Sequence, residues 1–510
     1  MRAFQALSFA VLGAGLAGCA VGPDYHAPRM KLPDGFVAAS GAQGATGAGH
    51  EAVDPGRGWH ALNDAKLDSL IERAIQANPS LEIALTRLQE ARTFETVVTG
   101  RALPDLEASA GAGRGTGSDL TRGRVASPLT SASNTAGLQH ITSVVGFDAA
   151  WEIDLFGKHR REIEAARYDT QAFAAARSAV LVTVVADVVR AYLDMRGLQT
   201  QQAVLGQNMR SAGKSLEIVQ ARFDRGITNE LDVTLARRQL AILQAQVAPL
   251  AAQISSAQYA IAVLLGKYPE EMSTELAKPE LIPQVPEQID GGLPLDLIRR
   301  RPDLIEAERL LAGATARIGV ATANLLPRLA LTAGAGTQAQ GLGVTPASSK
   351  SIWSAGVGAI WPLLDFGTLD ALVNVADLRT HELLINYKQT VLRAVQEVDS
   401  AMSNYAAQQN RLRNLGEALA ASQRAVSLAS QRYDRGLTDF LNVVDAERQQ
   451  YDLEEQYAGA QVAVGEQFVA LYKGLGGGWE QFQSIPPIRE PQPAIVAAFR
   501  RLLNPEDPLK

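Results

Sequence analysis

The sequence predicts an α+β membrane protein that is built twice over. Long α-helices continue from four short strands, and other copies of the chain must complete those strands into a β-barrel. Three observations predict it. The 510 residues repeat themselves in a fixed register. Lys158 to about Phe223 is helical in composition and lacks proline, and its about 66 residues would span roughly 100 Å. Four segments of about ten residues alternate apolar and polar side chains.

The repeat is clearest at Ala221–Val233, ARFDRGITNELDV, which returns at Gln431–Val443 as QRYDRGLTDFLNV. Asp224 matches Asp434 and Gly226 matches Gly436, a shift of 210. A glycine followed two residues later by threonine reads as a helix stop and a new N-cap, hence a hairpin tip. Gly146, Trp151, Phe156 and Gly157 match Gly356, Trp361, Phe366 and Gly367 at the same shift, as Pro249 matches Gly459. Earlier positions are offset by 223: Pro79, Leu81, Ala84 and Leu88 match Pro302, Leu304, Ala307 and Leu311. The difference of 13 residues falls in a strand-to-strand loop, where length change costs least. Ala-rich helices matched by chance would not keep glycines, prolines and tryptophans in register.

Taken in order, residues 19–58 read as an extended arm rich in Pro, Gly and Ala. The first repeat, 59–284, opens with a short amphipathic helix at Trp59–Ala77. It continues with a helix at about 79–101, strands at about 103–113 and 144–155, and helices at about 158–223 and 229–265. A connector, 285–301, leads to the second repeat, 302–479. Its strands are expected at about 326–336 and 352–364, and its helices at about 303–324, 367–433 and 439–475. Residues 480–510 form a tail.

Each strand has one apolar face. Leu106, Ala108, Ala110 and Ala112 alternate with Asp105, Glu107 and Ser109. Val145, Phe147, Ala149, Trp151 and Ile153 alternate with Asp148, Glu152 and Asp154. Leu329, Leu331, Ala333 and Ala335 lie opposite Arg328 and Thr332. Trp353, Ala355, Val357, Ala359 and Trp361 line the fourth strand, with tryptophans expected near both of its ends, as in an aromatic girdle. The acids of the other face would favour cations in a lumen. A soluble sandwich with one buried face is the alternative. Beyond the N-terminus no stretch reads as the roughly 18 apolar residues of a membrane helix, so membrane contact would be through strands. Four strands cannot close a membrane barrel and open edges are not tolerated in lipid, so copies must pool them. A dimer or a trimer would satisfy that count; eight strands fill their own interior, whereas twelve leave a lumen.

Composition excludes several function classes. The net charge of −6, without a basic stripe, does not suit nucleic acid. Cys19 is the only cysteine, so neither a disulfide framework nor a cysteine metal site is possible within one chain. His26, His50, His60, His140, His159 and His381 show no metal-ligand spacing. No nucleophile elbow, P-loop or dinucleotide fingerprint occurs. Gly111–Gly115 is glycine-rich but ends a strand with no helix after it. The expectation is no catalysis, no cofactor and no metal.

Arg2, the apolar Phe9–Leu16 and Leu16-Ala17-Gly18-Cys19 resemble a bacterial lipobox. That resemblance implies a signal peptide over 1–18 and lipidation of Cys19, with Ala20 directing the product to the outer membrane; an ordinary signal peptide is the alternative. Together with Gly22-Pro23-Asp24-Tyr25-x-x-Pro28, Asp154-Leu155-Phe156-Gly157, Gly292-Leu293-Pro294, Arg300-Arg301-Pro302-Asp303 and the two Arg-aromatic-x-x-Gly tips, the chain resembles the TolC-like outer membrane factors, in their lipoprotein branch. The resemblance implies a homotrimer with a twelve-stranded β-barrel in the outer membrane, continued by a periplasmic α-barrel. It implies a passive duct for small molecules, served by a periplasmic adaptor and an inner-membrane RND-type pump. Docking would use Phe223, Asp224, Arg225, Gly226, Tyr433, Asp434, Arg435 and Gly436. Leu441, Asp445 and Arg448 share one helical face. By resemblance Leu441 is a plug, Asp445 a ring of carboxylates that closes the periplasmic mouth, and Arg448 its partner across the chain contact. A surface pairing of Asp445 with Arg448 or Arg424 is the alternative. The first repeat has Leu231, Leu235 and Arg238 at those places, so Asp445 has no twin. A secretion or metal-efflux duct of the same fold, a stand-alone porin and a structural envelope lipoprotein remain as other functions.

Overall fold

The computed structural model describes residues 20–33, 35–37, 55–115, 140–286, 300–342 and 348–479. The signal peptide, Cys19, most of the arm, Gly292–Pro294 and the tail lie outside them.

A 3-10 turn at Pro55–Leu62 leads into α1 (Ala65–Ala77) and α2 (Pro79–Arg101). Strands β1 (Asp105–Gly115) and β2 (His140–Ile153) follow, then α3 (Lys158–Asp224), α4 (Glu230–Leu264) and the short α5 (Pro269–Ser273). The order then recurs: α6 (Pro302–Ala323), β3 (Arg328–Leu342), β4 (Ser348–Ile360), α7 (Thr368–Asp434) and α8 (Phe440–Gly474). Both long helices have 67 residues and both return helices 35. The chain divides into two compact units. One comprises the N-terminal residues to Arg29, Leu88–Phe173 and Glu306–Lys388; the other holds the remaining helical segments.

The first unit contains one antiparallel sheet in the order β1-β2-β3-β4. Its register places the alternating faces together. Leu106 faces Ala149, Ala149 faces Ala333, and Ala333 faces Ala355. Trp151 faces Leu331, which faces Val357. Directly opposed residues share a face, so the apolar side is continuous across four strands. Most of its large side chains are exposed, Leu106, Val145, Phe147, Trp353 and Val357 among them. On the other face Glu107 stands opposite Asp148, which accepts a 3.3 Å hydrogen bond from Ser109 Oγ. Gly146 and Gly336 are opposed there. A Cβ at Gly146 would lie 2.8 Å from the Ala335 carbonyl oxygen, and one at Gly336 2.6 Å from that of Val145. Only glycine permits that approach.

Several expectations for this unit need correction. The region 114–143 reads as loop, yet β1 runs to Gly115 and β2 starts at His140. Thr142 and Ser143 supply no apolar signal, but they continue the ladder against β3. Trp353 sits in mid-strand and Trp361 just beyond the strand's end, so β4 does not carry a tryptophan at each end. Asp154 is not on the polar strand face. It lies past β2, and its carboxylate accepts the backbone N–H groups of His159 and Arg160 (3.2 and 3.0 Å), which caps α3. Glu152 is paired with Lys158 at 3.6 Å.

The second unit has a core of Trp59, Leu67, Leu70, Ile71, Val188, Tyr192, Ile261, Leu265, Met272 and Phe468. The duplication persists here as hydrogen bonding even where residue types differ. Asn78 Nδ2 donates to the Leu264 carbonyl at 2.7 Å. Arg301, its counterpart at shift 223, donates through Nη1 to the Gly474 carbonyl at 2.9 Å. Each thus satisfies an otherwise unpaired carbonyl at the end of a return helix. Buried Arg301 also grips Asp303 and Glu397 (2.7 and 2.8 Å). α3 and α4 contain stretches apolar enough to cross a membrane, contrary to the sequence reading. Ala and Val mixed with Ser, Thr and Gln produce them without an unbroken apolar run. The α3 stretch is half buried in the fold, and the α4 stretch only 22%.

Candidate functional site

The two tips are built alike. α3 ends at Asp224, and Gly226 takes φ +71°. The Gly226 N–H donates to the Phe223 carbonyl (2.8 Å), and the Ile227 N–H to that of Arg222 (2.9 Å). Gly436, at φ +70°, repeats both bonds: its N–H donates to Tyr433 and the Leu437 N–H to Arg432, each at 2.9 Å. This is the Schellman pattern, and it requires the left-handed conformation that glycine adopts freely. Asn229 then caps α4 by accepting from the Asp232 N–H at 3.1 Å.

The tips are unequal in their contacts. Arg222 reaches from the first to the second. Its guanidinium lies 4.6 Å from the centre of the Tyr433 ring, and Nη2 donates to Asp434 Oδ1 at 3.0 Å. Tyr433 is buried and packs on Phe440 with ring centres 5.2 Å apart. It belongs to a small core with Val219, Val233, Ala236, Val443 and Val444. Tyr433, expected among the docking residues, is therefore covered, and Phe223 is the exposed tip aromatic. Asp224, Arg225, Gly226, Asp434, Arg435 and Gly436 are exposed, as are Ile227, Leu231, Leu437 and Leu441 beside them. Arg222 belongs to the repeated motif, but no sequence signal separates it from Arg432, which is exposed.

Leu441, Asp445 and Arg448 lie together on the exposed face of α8. Asp445 Oδ1 accepts from Arg448 Nη2 at 3.0 Å, and Oδ2 from Gln449 Nε2 at 2.8 Å. Within one chain Arg448 thus pairs along its own helix. The same face continues through Asp452 and Glu455. On the opposite side of these turns Glu447 is buried, and its Oε1 accepts from Ser215 Oγ of α3 at 2.9 Å. Burial pushes the Glu447 carboxyl above the ordinary glutamate range, and the Ser215 hydroxyl only partly offsets this. A charged residue inside a helix pair gives no periodicity signal, so the sequence reading missed it.

The segment after Cys19 is also held. Buried Arg161 donates to the carbonyls of Val21 (3.2 Å) and Gly22 (3.3 Å) and to Asp24 Oδ1 (2.7 Å). Gly22, at φ +92°, lies so close to Gly319 that a Cβ would fall 2.3 Å from its Cα. The Tyr25 hydroxyl donates to Glu308 at 3.2 Å.

Known proteins share this architecture. Nodulation protein T of Rhizobium leguminosarum bv. trifolii is 29% identical over 472 residues, covering 91% of this chain and 95% of its own length. The pyoverdine export outer membrane protein OpmQ of Pseudomonas putida is 30% identical over 450 residues, covering 88% of this chain and 93% of its own. The solved structure of the outer-membrane channel OprN superposes with a TM-score of 0.80 at 34% identity, covering 91% of this chain and all of that one. The family described as outer membrane efflux protein matches residues 70–267 and 293–477. Over that span, in which the repeated helices, strands and tips all fall, this chain belongs to the outer membrane efflux protein family.

Proposed function

We propose that the chain forms, as a homotrimer, the passive outer membrane exit duct of a tripartite pump. The observation that carries this reading is the sheet: one layer, an exposed apolar face, and edges at β1 and β4 that pair with no further strand among the described residues. Such a sheet cannot stand alone in lipid. Three copies supply twelve strands, enough for a lumen, with the face of Glu107 and Asp148 turned inward. A second support is α4. Ile242, Ala245, Pro249, Ala252, Ser256, Tyr259 and Val263 follow a 3.5-residue period and are all exposed, as expected of a coiled-coil seam awaiting another copy.

In this reading the tips carry the docking rim for a periplasmic adaptor and, through it, an RND-type inner-membrane pump. Phe223 and Ile227 present apolar surface there. Threefold symmetry makes Asp445 a ring of carboxylates beneath a Leu441 plug. Lipidated Cys19 anchors the segment that Arg161 holds. The duct performs no catalysis of its own, and its cargo is small molecules, in the company of a relative named for pyoverdine export. Purified protein reconstituted in a planar bilayer should give channel conductance and run as a heat-modifiable trimer. Absence of conductance from trimer that has inserted overturns the duct.

A further inference from the structure

The two strand-to-helix junctions are repeats of each other, yet only one is covered. At the first, β2 to α3, the Val21 N–H donates to the Phe156 carbonyl at 3.0 Å, and Ala20 sits against Gly157. Leu155 and Phe156 are half-buried there. At the second, β4 to α7, no described residue plays that part. Trp361 is 56% exposed, Leu363 and Leu364 each 77%, and Phe366 91%.

Four features point to what meets these side chains. In sequence Trp361 and Leu363 continue the alternation of Trp353, Ala355, Val357 and Ala359, so the run follows directly on the strand that carries the apolar face. Its two polar side chains are already engaged. Trp361 Nε1 donates to the Leu325 carbonyl at 3.1 Å, and Asp365 accepts the N–H groups of Gly367 and Leu369 (3.2 and 2.7 Å). Pro362 has no N–H to satisfy. Lastly, Phe366 holds φ +54°, a left-handed conformation that an aromatic residue rarely adopts, whereas Phe156 does not. A neighbouring copy that pairs with the edge of β4 would bond in the plane of the sheet, while strand side chains stand perpendicular to it.

We propose that Trp361–Phe366 is an interfacial membrane anchor, with its leucines and phenylalanine embedded among phospholipid head groups and upper acyl chains on the periplasmic side. Irregular backbone is excluded from the hydrocarbon core, so the loop rides at the boundary. The inference rests on the reading that the sheet's apolar face meets lipid.

The test uses Phe366→Cys and, separately, Leu364→Cys, each carrying an environment-sensitive dye in full-length protein in phosphatidylcholine vesicles. Val357→Cys on the sheet face is the lipid reference, and Leu281→Cys, 88% exposed in the helical unit, the aqueous one. Wild-type protein controls for labelling at Cys19. Lipids brominated near the head group should quench positions 364 and 366 severalfold more than position 281, and more than lipids brominated deep in the chain do. Quenching at 357 but not at 364 or 366 overturns the anchor and leaves the barrel reading intact. Absence of quenching at 357 as well overturns both.

Discussion

α4 and α8 are copies of one helix whose equivalent exposed faces differ in polarity. In register, Leu231, Leu235, Arg238, Ile242, Ala245 and Pro249 correspond to Leu441, Asp445, Arg448, Asp452, Glu455 and Gly459. All are exposed except Leu235 and Gly459, which are half-buried. Both helices have 35 residues, and the same two-bond glycine stop precedes each. What differs is the chemistry of the exposed side chains. An apolar face is stable against protein, whereas a row of carboxylates requires water. Duplication thus supplied two equal hairpins, and substitution on a single stripe made one exposed face largely apolar and the other largely charged; in the proposed trimer the first is a wall contact and the second a lining.

The largest effect should come from making the α4 face resemble that of α8. Ile242→Asp with Val263→Asp removes two apolar side chains that contribute about 1.5–3 kcal/mol each when buried. An unpaired carboxylate buried in their place costs several kcal/mol more. In the proposed trimer three symmetric interfaces multiply the loss, so the assembly should give way to monomer in light scattering. Asp452→Ile, the reverse change on α8, should leave assembly intact. A trimer that survives the α4 pair rejects the seam.

A smaller change is expected from Asp445→Ala with Arg448→Ala. Both side chains are exposed, and such a pair contributes only about 0.2–1 kcal/mol to stability. Folding and assembly should therefore persist. Removing the charged ring should raise resting single-channel conductance, and the twin change Arg238→Ala on α4 should not. Conductance unchanged in the double variant counts against Asp445 and Arg448 as the constriction.

The sequence made the periodic features of this molecule legible. Glycines at 226 and 436 mark both tips because a left-handed stop has few other solutions, and alternation marks the strands because it gathers their apolar side chains on one face. It was weakest where a residue's partner lies far along the chain. Asp154 reads as one more acid on a strand, and nothing local tells that its carboxylate caps α3. Tyr433 and Phe223 occupy equivalent positions, yet Arg222 and Phe440 bury one and leave the other exposed. Leu441, Asp445 and Arg448, proposed as the constriction, were visible only as a shared face. The threefold ring proposed for them depends on other copies, and a single chain's sequence carries no signal of that geometry.

The smallest effect concerns the covered side of α8. Glu447 lies two residues from Asp445 but faces α3, where Ser215 donates to it and Tyr451, one turn along, is buried beside the Leu243 cluster. Its raised carboxyl pKa means that the packed form holds a proton which the separated helices release. The contact is therefore strongest at acid pH. It weakens as pH rises from the ordinary glutamate value of 4.5 towards the raised one, and the loss levels off above that. Glu447→Gln keeps the shape and the Ser215 partner without the titration. Thermal unfolding of the wild type should lose stability relative to Glu447→Gln across this pH window, and the two should converge at the acid end. The conductance of the Asp445→Ala, Arg448→Ala variant should keep whatever part of its pH dependence comes from Glu447, because the two sites share a helix turn but face different partners. Parallel unfolding curves for wild type and Glu447→Gln at every pH would mean that α8 is held to α3 by its apolar contacts alone.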